Sequence, residues 1–256
     1  MNQTFAIPAF KDNYIWALRD AERRWLVVVD PGDAQPVLEV IRTQGLRLAA
    51  ILITHHHWDH TNGIKDLTAA YPVPVYAPAA EAVAGTTHPT AEGTEIPLPE
   101  LGITLTTLEI PGHTRGHVAY YGEGMLFCGD TLFAGGCGRL FEGTAEQMHR
   151  SLSRLAALPP NTQIYCGHEY TEANLRFATR VEPDNADLRA RLAAVEAQRA
   201  RNEITLPSTI ATELATNPFL RVDQASVIES AERHTGSRLA CAADVFAAVR
   251  KWKDAA

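Results

Sequence analysis

The segment Thr54–His60, with the sequence Thr-His-His-His-Trp-Asp-His, constrains this chain more than any other. It follows the apolar run Leu48–Ile53, which predicts a buried strand. Polar side chains crowded at the end of a buried strand are costly unless something satisfies them. Imidazole and carboxylate groups suit zinc, iron and manganese, so a bound metal would satisfy these side chains. Within six residues the segment offers four metal ligands: His55, His57, Asp59 and His60.

Three more residues with ligand chemistry each follow a predicted strand: His113, Asp130 and His168. Ligands of open α/β sheets gather beyond the ends of the strands, where the loops converge. Seven ligands are more than one ion uses beside a substrate, but they suit two ions that keep an open position. The pattern therefore predicts a two-metal hydrolytic centre. The predicted division gives one metal His55, His57 and His113, and the other Asp59, His60 and His168. Asp130 is the predicted bridge, because only a carboxylate can offer one oxygen to each ion.

A structural explanation competes with these assignments. A lone polar residue after a strand is more often a turn or core residue than a ligand, and this applies to His113, Asp130 and His168 when each is taken alone. It does not apply to the clustered segment 54–60, where a metal explains the crowding. His56 is expected to point away from the metals, because its two neighbours face them. His117 is left open between a residue that orients a ligand and an ordinary core residue.

The composition limits the classes of partner. The chain has 256 residues, 46% of them hydrophobic, and its net charge of −7 argues against general binding to nucleic acid or to a membrane surface. No apolar run approaches the ~20 residues of a membrane span, and the N-terminal residues lack the features of a signal peptide. The four cysteines show no framework spacing, which favours reduced core thiols. We therefore expect a cytoplasmic protein that acts on a small molecule. We also expect a monomer, although composition does not bear on the oligomeric state.

The pattern of the chain changes at about residue 168. Residues 1–168 alternate strand and helix signals, which predicts an α/β or α+β catalytic domain. Its clearest predicted elements are the strand Trp25–Val29, a helix from the cap Asp33 to Gln44, and a capping box at Thr144–Gln147. Further strands are predicted at 73–76, 103–110, 118–121, 125–128 and 163–166. Residues 169–256 lose the strand signals and show an apolar stripe at helical spacing, Leu188, Leu192 and Val195, which predicts a smaller helical domain. Later helices are predicted at 222–234 and 240–253.

Several segments together resemble one protein family. They are Thr54–Gly63, Gly129–Phe133 with Gly136–Arg139, Cys166–Thr171, Asn217–Phe219 and Arg250–Asp254. Over nearly its whole length the chain resembles glyoxalase II, the hydroxyacylglutathione hydrolase family of the metallo-β-lactamase superfamily. The resemblance implies an αββα metallo-β-lactamase-like sandwich followed by a smaller all-helical domain. It also implies hydrolysis of S-D-lactoylglutathione, and of related 2-hydroxyacylglutathione thioesters, to glutathione and D-lactate, the second step of methylglyoxal degradation.

The resemblance also implies roles for single residues. It implies the same seven metal ligands, with two zinc ions as the expected cofactors and with iron or manganese as alternatives that these ligands accept. Asp59 and Asp130 are the implied catalytic residues: Asp59 would orient a hydroxide that bridges the metals and attacks the thioester carbonyl. Glutathione would be bound by Arg139, Tyr170, Arg250 and Lys253. A tyrosine of some relatives is replaced here by Phe141, which cannot donate a hydrogen bond.

Alternative explanations stay open at this point. A persulfide dioxygenase of the same superfamily also binds a glutathione derivative, but it uses one iron, so Asp59, His60 and His168 would not bind metal. A β-lactamase would have a different second metal site. A non-catalytic scaffold would recognise a partner through its helical domain. Without the resemblance, Arg250 and Lys253 would be cations that suit the C-terminal end of a helix.

Overall fold

The computed structural model describes residues 2–256, and these form two compact units. The first unit contains the residues up to Glu109 together with Arg115–Gly129. The second unit contains Ile110–Thr114 and Asp130–Ala256. This division reflects how the chain packs. The boundary predicted at residue 168 instead separates a catalytic domain from a substrate-binding domain, and it stays a prediction.

The first unit is built mainly of strands. Its strands are β1 (Gln3–Ala9), β2 (Asn13–Arg19), β3 (Trp25–Val29), β4 (Arg47–Leu52), β5 (Val75–Pro78), β6 (His88–Thr90), β7 (Glu95–Leu98), β8 (Ile103–Glu109), β9 (Val118–Gly122) and β10 (Met125–Gly129). Its helices are α1 (Ala34–Gln44), α2 (Trp58–Thr61) and α3 (Ile64–Ala70). One sheet has the order β1-β2-β3-β4-β5-β6 and is antiparallel from β1 to β3 and parallel from β3 to β6. A second run of strands, β10-β9-β8-β7, is antiparallel.

The centre of the first sheet forms where the apolar runs of the sequence pair. The segment Leu26–Val29 of β3 is almost fully buried, and so is Ile51 of β4, as expected for parallel strands that are covered on both faces. The helix α1 begins and ends as predicted. Asp33 accepts the N–H of Gln35 at 2.9 Å, and Gly45 ends the helix in a left-handed conformation at φ 64°. Together with the buried face of α1, these strands form the hydrophobic core of the unit.

The parallel strands β3 and β4 bring polar residues to one edge of this sheet. Asp30 follows β3, and its N–H donates to the carbonyl oxygen of Leu52, the last residue of β4, at 2.9 Å. The segment Thr54–His60, which we call the His motif, starts just beyond the same strand end. From the second run of strands, Tyr120 of β9 donates its hydroxyl to the carbonyl oxygen of Ile53 at 2.6 Å. The two sheets therefore meet beside the His motif.

The second unit is mainly helical. Its helices are α4 (Ala145–Ala156), α5 (Thr171–Val181), α6 (Ala186–Ala200), α7 (Ile210–Thr216), α8 (Ala225–Thr235) and α9 (Ala242–Asp254), with a 3-10 helix at Pro218–Leu220. Its strands form two antiparallel pairs, β11 (Leu132–Phe133) with β12 (Gly136–Cys137), and β13 (Gln163–Cys166) with β14 (Ser208–Thr209). The predicted capping box of α4 is confirmed, since Thr144 and Gln147 hydrogen-bond in both directions. The predicted apolar stripe of α6 packs against α5.

The hairpin formed by β11 and β12 is held by side chains from helical segments of the same unit. Asn174 of α5 donates to one hairpin carbonyl oxygen at 2.9 Å, and Asn217 donates to two others at 2.9 and 3.2 Å. Glu213 of α7 is fully buried and accepts the backbone N–H of Gly135 at 2.7 Å. The guanidinium of Arg191 lies 2.6 Å from the other oxygen of Glu213 and compensates its buried charge. The hairpin therefore has a fixed position against these helices.

The structure differs from the sequence predictions in several strands and at one cysteine. The strands β1 and β2 are not predicted, because β1 contains a proline and β2 is buried on both faces and shows no alternation. The strand β14 lies in the region predicted to be all-helical, and a strand of two residues leaves no periodic signal. All four cysteines are free, but Cys241 is exposed, whereas the other three are buried as predicted: Cys128, Cys137 and Cys166. None of the helices within residues 2–256 is long and apolar enough to cross a membrane.

Candidate active site

In the first unit, the His motif is arranged around Asp30. The side chain of Asp30 is almost fully buried. Its Oδ1 accepts the N–H of Thr54 at 2.7 Å, and its Oδ2 accepts the hydroxyl of Thr54 at 2.7 Å and Nδ1–H of His60 at 3.0 Å. Asp30 adopts a left-handed conformation at φ 54°, which aspartate tolerates better than most residues. The predicted turn at this position therefore also supports the metal motif.

These hydrogen bonds fix which nitrogen of each histidine can bind a metal. Because His60 donates Nδ1–H to Asp30, its Nε2 carries the lone pair. The hydroxyl of Thr54 is already donated to Asp30, so its oxygen accepts Nδ1–H of His55 at 3.0 Å, and the lone pair of His55 is again on Nε2. This Nε2 lies 3.1 Å from Nδ1 of His57. That distance is close to the ~3.3 Å expected between two nitrogens of one tetrahedral ion.

Asp59 is held by a contact that the sequence pattern does not reveal. Asn13, the first residue of β2, donates its side-chain amide to Oδ2 of Asp59 at 3.0 Å and to the backbone carbonyl oxygen of Asp59 at 3.4 Å. The same Oδ2 lies 3.6 Å from Nε2 of His60. Gly32 permits this arrangement, since a Cβ at that position would lie 1.8 Å from the carbonyl oxygen of Asp59. Two of the predicted ligands, Asp59 and His60, are thus adjacent.

The side chains of Glu81 and His117 also contact the His motif. The N–H of His56 donates to one carboxylate oxygen of Glu81 at 2.5 Å, and the other oxygen of Glu81 accepts the N–H of Gly116 at 3.1 Å. His117 stacks on the ring of His55, with the ring centroids 4.6 Å apart. His117 therefore packs against the predicted ligand His55. Glu81 connects the His motif to the loop that precedes β9.

In the second unit, Asp130 lies between two histidines. Its Oδ2 lies 3.3 Å from Nε2 of His168 and 3.6 Å from Nε2 of His113. His113 donates Nδ1–H to the carbonyl oxygen of Arg139 at 2.9 Å, which leaves the lone pair on Nε2, the nitrogen nearer to Asp130. Gly138 permits the close approach of the backbone, because a Cβ there would lie 1.9 Å from the carbonyl oxygen of Asp130. Three predicted ligands from separate segments thus meet within this unit.

A pocket of about 520 Å³ lies in the second unit and contains two of these ligands, His113 and Asp130. All four residues predicted to bind the substrate line it: Arg139, Tyr170, Arg250 and Lys253. A larger pocket in the same unit, about 630 Å³ around Glu182 and Arg221, has no histidine in its wall. The smaller pocket is therefore the better candidate, because it joins predicted metal ligands to cations.

Aromatic rings form part of the wall of this pocket. The ring of Tyr170 stacks on His168, with centroids 4.8 Å apart and an interplanar angle of 2°. Phe133 contacts Tyr170 edge-on at 5.2 Å, and Phe141 contacts His113 edge-on at 5.3 Å. The side of the pocket next to the predicted ligands is therefore lined by aromatic rings.

The three cations of the pocket are not equivalent. The side chain of Arg139 is 71% exposed. Arg250 is only 4% exposed and donates from Nη1 to the carbonyl oxygen of Cys137 at 2.8 Å and from Nη2 to Asp254 at 2.9 Å. Burial, together with the positive charge of Arg250, lowers the pKa of Lys253 to about 8. Arg250 therefore holds the backbone of the pocket in addition to carrying charge.

Three supporting residues of the site are missing from the sequence predictions: Asp30, Asn13 and Glu81. Asp30 has a signal, because it is a carboxylate that directly follows a buried strand, but its Asp-Pro-Gly-Asp context predicts only a turn. Asn13 and Glu81 have none, since they lie 46 and 25 positions from the motif residues that they contact. Contacts of this kind arise only from the fold.

The residues present fit divalent metal ions. Their donor atoms are imidazole nitrogens and carboxylate oxygens, which suit zinc, iron and manganese. Within the first unit, donor atoms of Asp30, His55 and His60 lie within 4.8 Å of one another. Because both oxygens of Asp30 already accept hydrogen bonds, we assign it to orienting the histidines.

Comparison with known proteins covers both parts of the chain. Residues 14–168 match the metallo-beta-lactamase superfamily, and residues 169–256 match the hydroxyacylglutathione hydrolase C-terminus. The chain is 58% identical over 254 residues to a hydroxyacylglutathione hydrolase of Alkalilimnicola ehrlichii, with 99% of each chain covered. Two solved structures share the fold. ETHE1 from Myxococcus xanthus has a TM-score of 0.66 and 22% identity, over 100% of this chain and 99% of that one. TTHA1623 in a di-iron-bound form has a TM-score of 0.59 and 26% identity, over 85% of this chain and all of the other.

These comparisons confirm the predicted fold class, a metallo-β-lactamase-like fold followed by a helical C-terminal part. The identity to the curated relative extends over essentially the whole of both chains, so it includes the His motif and the helices that line the pocket. The chain belongs to the hydroxyacylglutathione hydrolase family of the metallo-β-lactamase superfamily.

Proposed function

We propose that this protein hydrolyses S-D-lactoylglutathione, and related 2-hydroxyacylglutathione thioesters, to glutathione and D-lactate. The observation that carries the proposal is the pocket of the second unit, in which His113 and Asp130 share one cavity with Arg139, Arg250 and Lys253. A molecule that fills this pocket can present a reacting group to the ligand residues and a carboxylate to the cations. The relative at 58% identity, named a hydroxyacylglutathione hydrolase, supports the same activity.

Two divalent ions are the proposed cofactors, and zinc is the proposed metal. The residues that would hold them are His55, His57, Asp59 and His60 of the first unit and His113, Asp130 and His168 of the second. When bound, the ions supply an activated water at neutral pH and a positive charge for the developing negative charge on the thioester oxygen. The related structure solved in a di-iron-bound form supports a two-ion centre.

Asp59 is the proposed residue that orients the water for its attack on the thioester carbon. The side chain of Asp59 is 21% exposed, whereas that of His60 beside it is 1% exposed, so Asp59 can contact a reactant. Asn13 fixes the direction of the Asp59 carboxylate through its hydrogen bond to Oδ2. The water oxygen adds to the carbon, the carbon–sulfur bond breaks, and glutathione leaves as a thiolate that takes up the proton given up by the water.

The cations of the pocket are proposed to bind the glutathione part of the substrate. Glutathione carries two carboxylates, and Arg139, Arg250 and Lys253 supply the opposite charge. This local charge lets a protein with a net charge of −7 bind an anion. Tyr170 offers a hydroxyl at the same pocket, whereas Phe141 offers only a ring. We expect Arg139 to carry more of the binding as a result.

The remaining proposals concern the oligomeric state, the compartment and the partners. We propose a monomer that works in the cytoplasm and has no nucleic-acid or membrane partner. The acidic net charge supports the absence of nucleic-acid binding, and the four free cysteines support a reducing compartment. Size measurement of the purified protein in solution tests the monomer.

The function is tested by incubating purified, metal-replete protein with S-D-lactoylglutathione and following the loss of thioester absorbance, with elemental analysis of the same preparation. We expect release of glutathione and D-lactate and about two metal ions per chain. A parallel reaction offers glutathione persulfide and measures oxygen consumption, which detects the dioxygenase alternative. Oxygen consumption with one iron per chain and no thioester hydrolysis would show the proposal to be wrong.

A further inference from the structure

Asp254, the last residue of α9, contacts two of the cations of the pocket. Its Oδ1 lies 2.9 Å from Nη2 of Arg250 and 4.0 Å from Nε of Arg139. We propose that Asp254 is an internal competitor of the substrate: its carboxylate occupies the arginine end of the pocket until a carboxylate of the substrate displaces it. The inference rests on the proposed function, which assigns the carboxylates of glutathione to the same arginines.

The place of Asp254 in its helix is unfavourable for the helix itself. The C-terminal end of a helix carries a partial negative charge, so an acidic residue in the last turn is repelled. The pair also runs from Arg250 to Asp254 along the chain, which is the less favourable direction for two charges four residues apart. A carboxylate at this position therefore does not stabilise α9. The contacts of Asp254 with Arg250 and Arg139 give it a role instead.

The donors of Arg250 show why a substrate carboxylate would have to displace Asp254. Nη1 of Arg250 donates to the carbonyl oxygen of Cys137, and Nη2 donates to Asp254. The buried Nε of Arg250 has no hydrogen-bond partner within residues 2–256. Because Nη1 is bound to the backbone and Nη2 to Asp254, the charge of Arg250 is already neutralised by a carboxylate.

The exposure of the partners permits the exchange. The side chains of Asp254 and Arg139 are 45% and 71% exposed, whereas that of Arg250 is 5% exposed. An ion pair with one partner this exposed is weak, because water screens the charges and solvates the released carboxylate. Arg250 keeps its bond to the carbonyl oxygen of Cys137 when Asp254 leaves. One carboxylate can therefore replace another without a change in the fold.

The test is Asp254→Asn, which keeps the size of the side chain and one hydrogen-bonding oxygen but removes the charge. KM for S-D-lactoylglutathione and Kd for S-methylglutathione, a thioether that cannot be hydrolysed as a thioester, should both fall about three- to fivefold. The value of kcat should stay within about twofold, because the pair is remote from the reacting carbonyl. Asp254→Glu retains a carboxylate and should stay within about twofold in all three constants. Unchanged constants in Asp254→Asn would overturn the inference, and raised constants would show that Asp254 positions Arg250 instead.

The matched control is Glu146→Gln. Glu146 also lies four residues from an arginine on one helix, 3.9 Å from Arg150, and it is not part of the pocket wall. The substitution changes the net charge of the protein by the same amount, so KM and Kd should not change. An equal fall in this variant would mean that net charge sets the affinity, and the competition would be refuted.

The binding measurement separates this inference from the proposed function. If the wild-type protein does not hydrolyse the thioester, the proposed function fails, but titration with S-methylglutathione still tests Asp254. A lower Kd in Asp254→Asn than in the wild type would then sustain the competition. Failure of both proteins to bind S-methylglutathione would overturn it.

Discussion

The two units of the molecule present their predicted ligands in different ways. In the first, the His motif supplies four ligands within six residues, and one buried carboxylate, that of Asp30, orients two of the histidines directly or through Thr54. In the second, the ligands come from separate segments and meet at Asp130 through the fold. The first arrangement is local to the sequence, and the second depends on packing. Substitutions should therefore separate ligand loss from fold disturbance more cleanly in the first unit.

The largest effect is expected from Asp130→Ala in the second unit. It removes the carboxylate that lies between His113 and His168 and that we propose as the bridge. Metal content should fall from about two ions to less than one per chain, and thioester hydrolysis should fall roughly a thousandfold, as shown by elemental analysis and initial rates. The control Asp33→Ala removes a helix cap and should cost about 1 kcal/mol of stability with the metals retained. Two ions in Asp130→Ala would contradict the bridging role.

The next effect tests the first unit. Asp59→Asn keeps the shape of the side chain but removes the charge that we propose for orienting the water, so kcat should fall about a hundredfold with KM changed by less than about threefold. Steady-state kinetics on the glutathione thioester give both constants. Asp66→Asn, an exposed acid in the first turn of α3, is the matched control and should have wild-type kinetics. An unchanged kcat in Asp59→Asn would rule out the role.

Asp30→Asn sharpens the comparison, because it alters the support of the His motif and leaves every proposed ligand in place. Loss of the acceptor charge for Nδ1–H of His60 should weaken metal binding about ten- to a hundredfold, measured by competition with a chelator. Asp20→Asn is the control: Asp20 is also buried and accepts the N–H groups of Arg24 and Trp25. It should lose stability but retain metal affinity. Equal losses of metal affinity would mean that Asp30 acts only on the fold.

A smaller effect is expected in the pocket of the second unit. Replacing both Arg250 and Lys253 by alanine should raise KM tenfold or more, but Arg250 also holds the carbonyl of Cys137, so part of that loss would come from the fold. Lys253→Met removes the charge of Nζ and its hydrogen bond to Asn174 but leaves Arg250 bound to Cys137, and it should raise KM for the glutathione thioester about tenfold, with kcat nearly unchanged. A short thioester without the glutathione carboxylates should be affected less. Equal losses on the two substrates would contradict a binding role.

The matched control for this prediction is Lys251→Met. Lys251 is an exposed cation in the last turn of the same helix and does not line the pocket. It should leave KM for both thioesters unchanged. A raised KM in this variant would point to the charge of the helix end and not to contact with the substrate.

The smallest effect is a pH dependence of KM. Burial lowers the pKa of Lys253 from its ordinary value of 10.5 to about 8, so its positive charge is lost as the pH rises through 8. KM should rise several-fold between about pH 7 and pH 9, and this rise should vanish in Lys253→Met. Between pH 8 and 10.5 the unfolded chain holds a proton on this amine that the folded chain lacks. Stability from Lys253 therefore increases across that window. A wild-type KM that does not change with pH would contradict the assignment.

The local parts of the site could be predicted from the sequence. The His motif can be recognised because its predicted ligands are crowded directly after a buried strand. Helix α1 and the capping box of α4 can be predicted because each cap lies within four residues of its hydrogen-bond partner. The fold class followed from the resemblance, which rests on whole motifs and not on single residues. Short-range signals of this kind survive in the sequence because the physical contact is itself short-range.

The remaining parts depend on contacts between distant residues. Nothing in the sequence indicates that Asn13 contacts Asp59, or that the guanidinium of Arg250 is buried and bound to a backbone carbonyl. The spacing of Arg250 and Lys253 predicts a shared helix face but not the different exposures and partners of the two side chains. Burial and pairing decide the energetic role of a charge, and both are set by the packing of other elements.

The side-chain hydrogen bonds that hold the β11–β12 hairpin have a consequence for hydrogen exchange. A backbone amide in a tight turn usually exchanges quickly with solvent, but the amide of Gly135 is donated to the buried carboxylate of Glu213. Its proton can exchange only when α7 moves away from the hairpin. Cys137, at the end of the same hairpin, accepts the bond from Arg250 in the pocket. The exchange rate of one turn amide therefore measures how often the helices release the backbone that the pocket is built on.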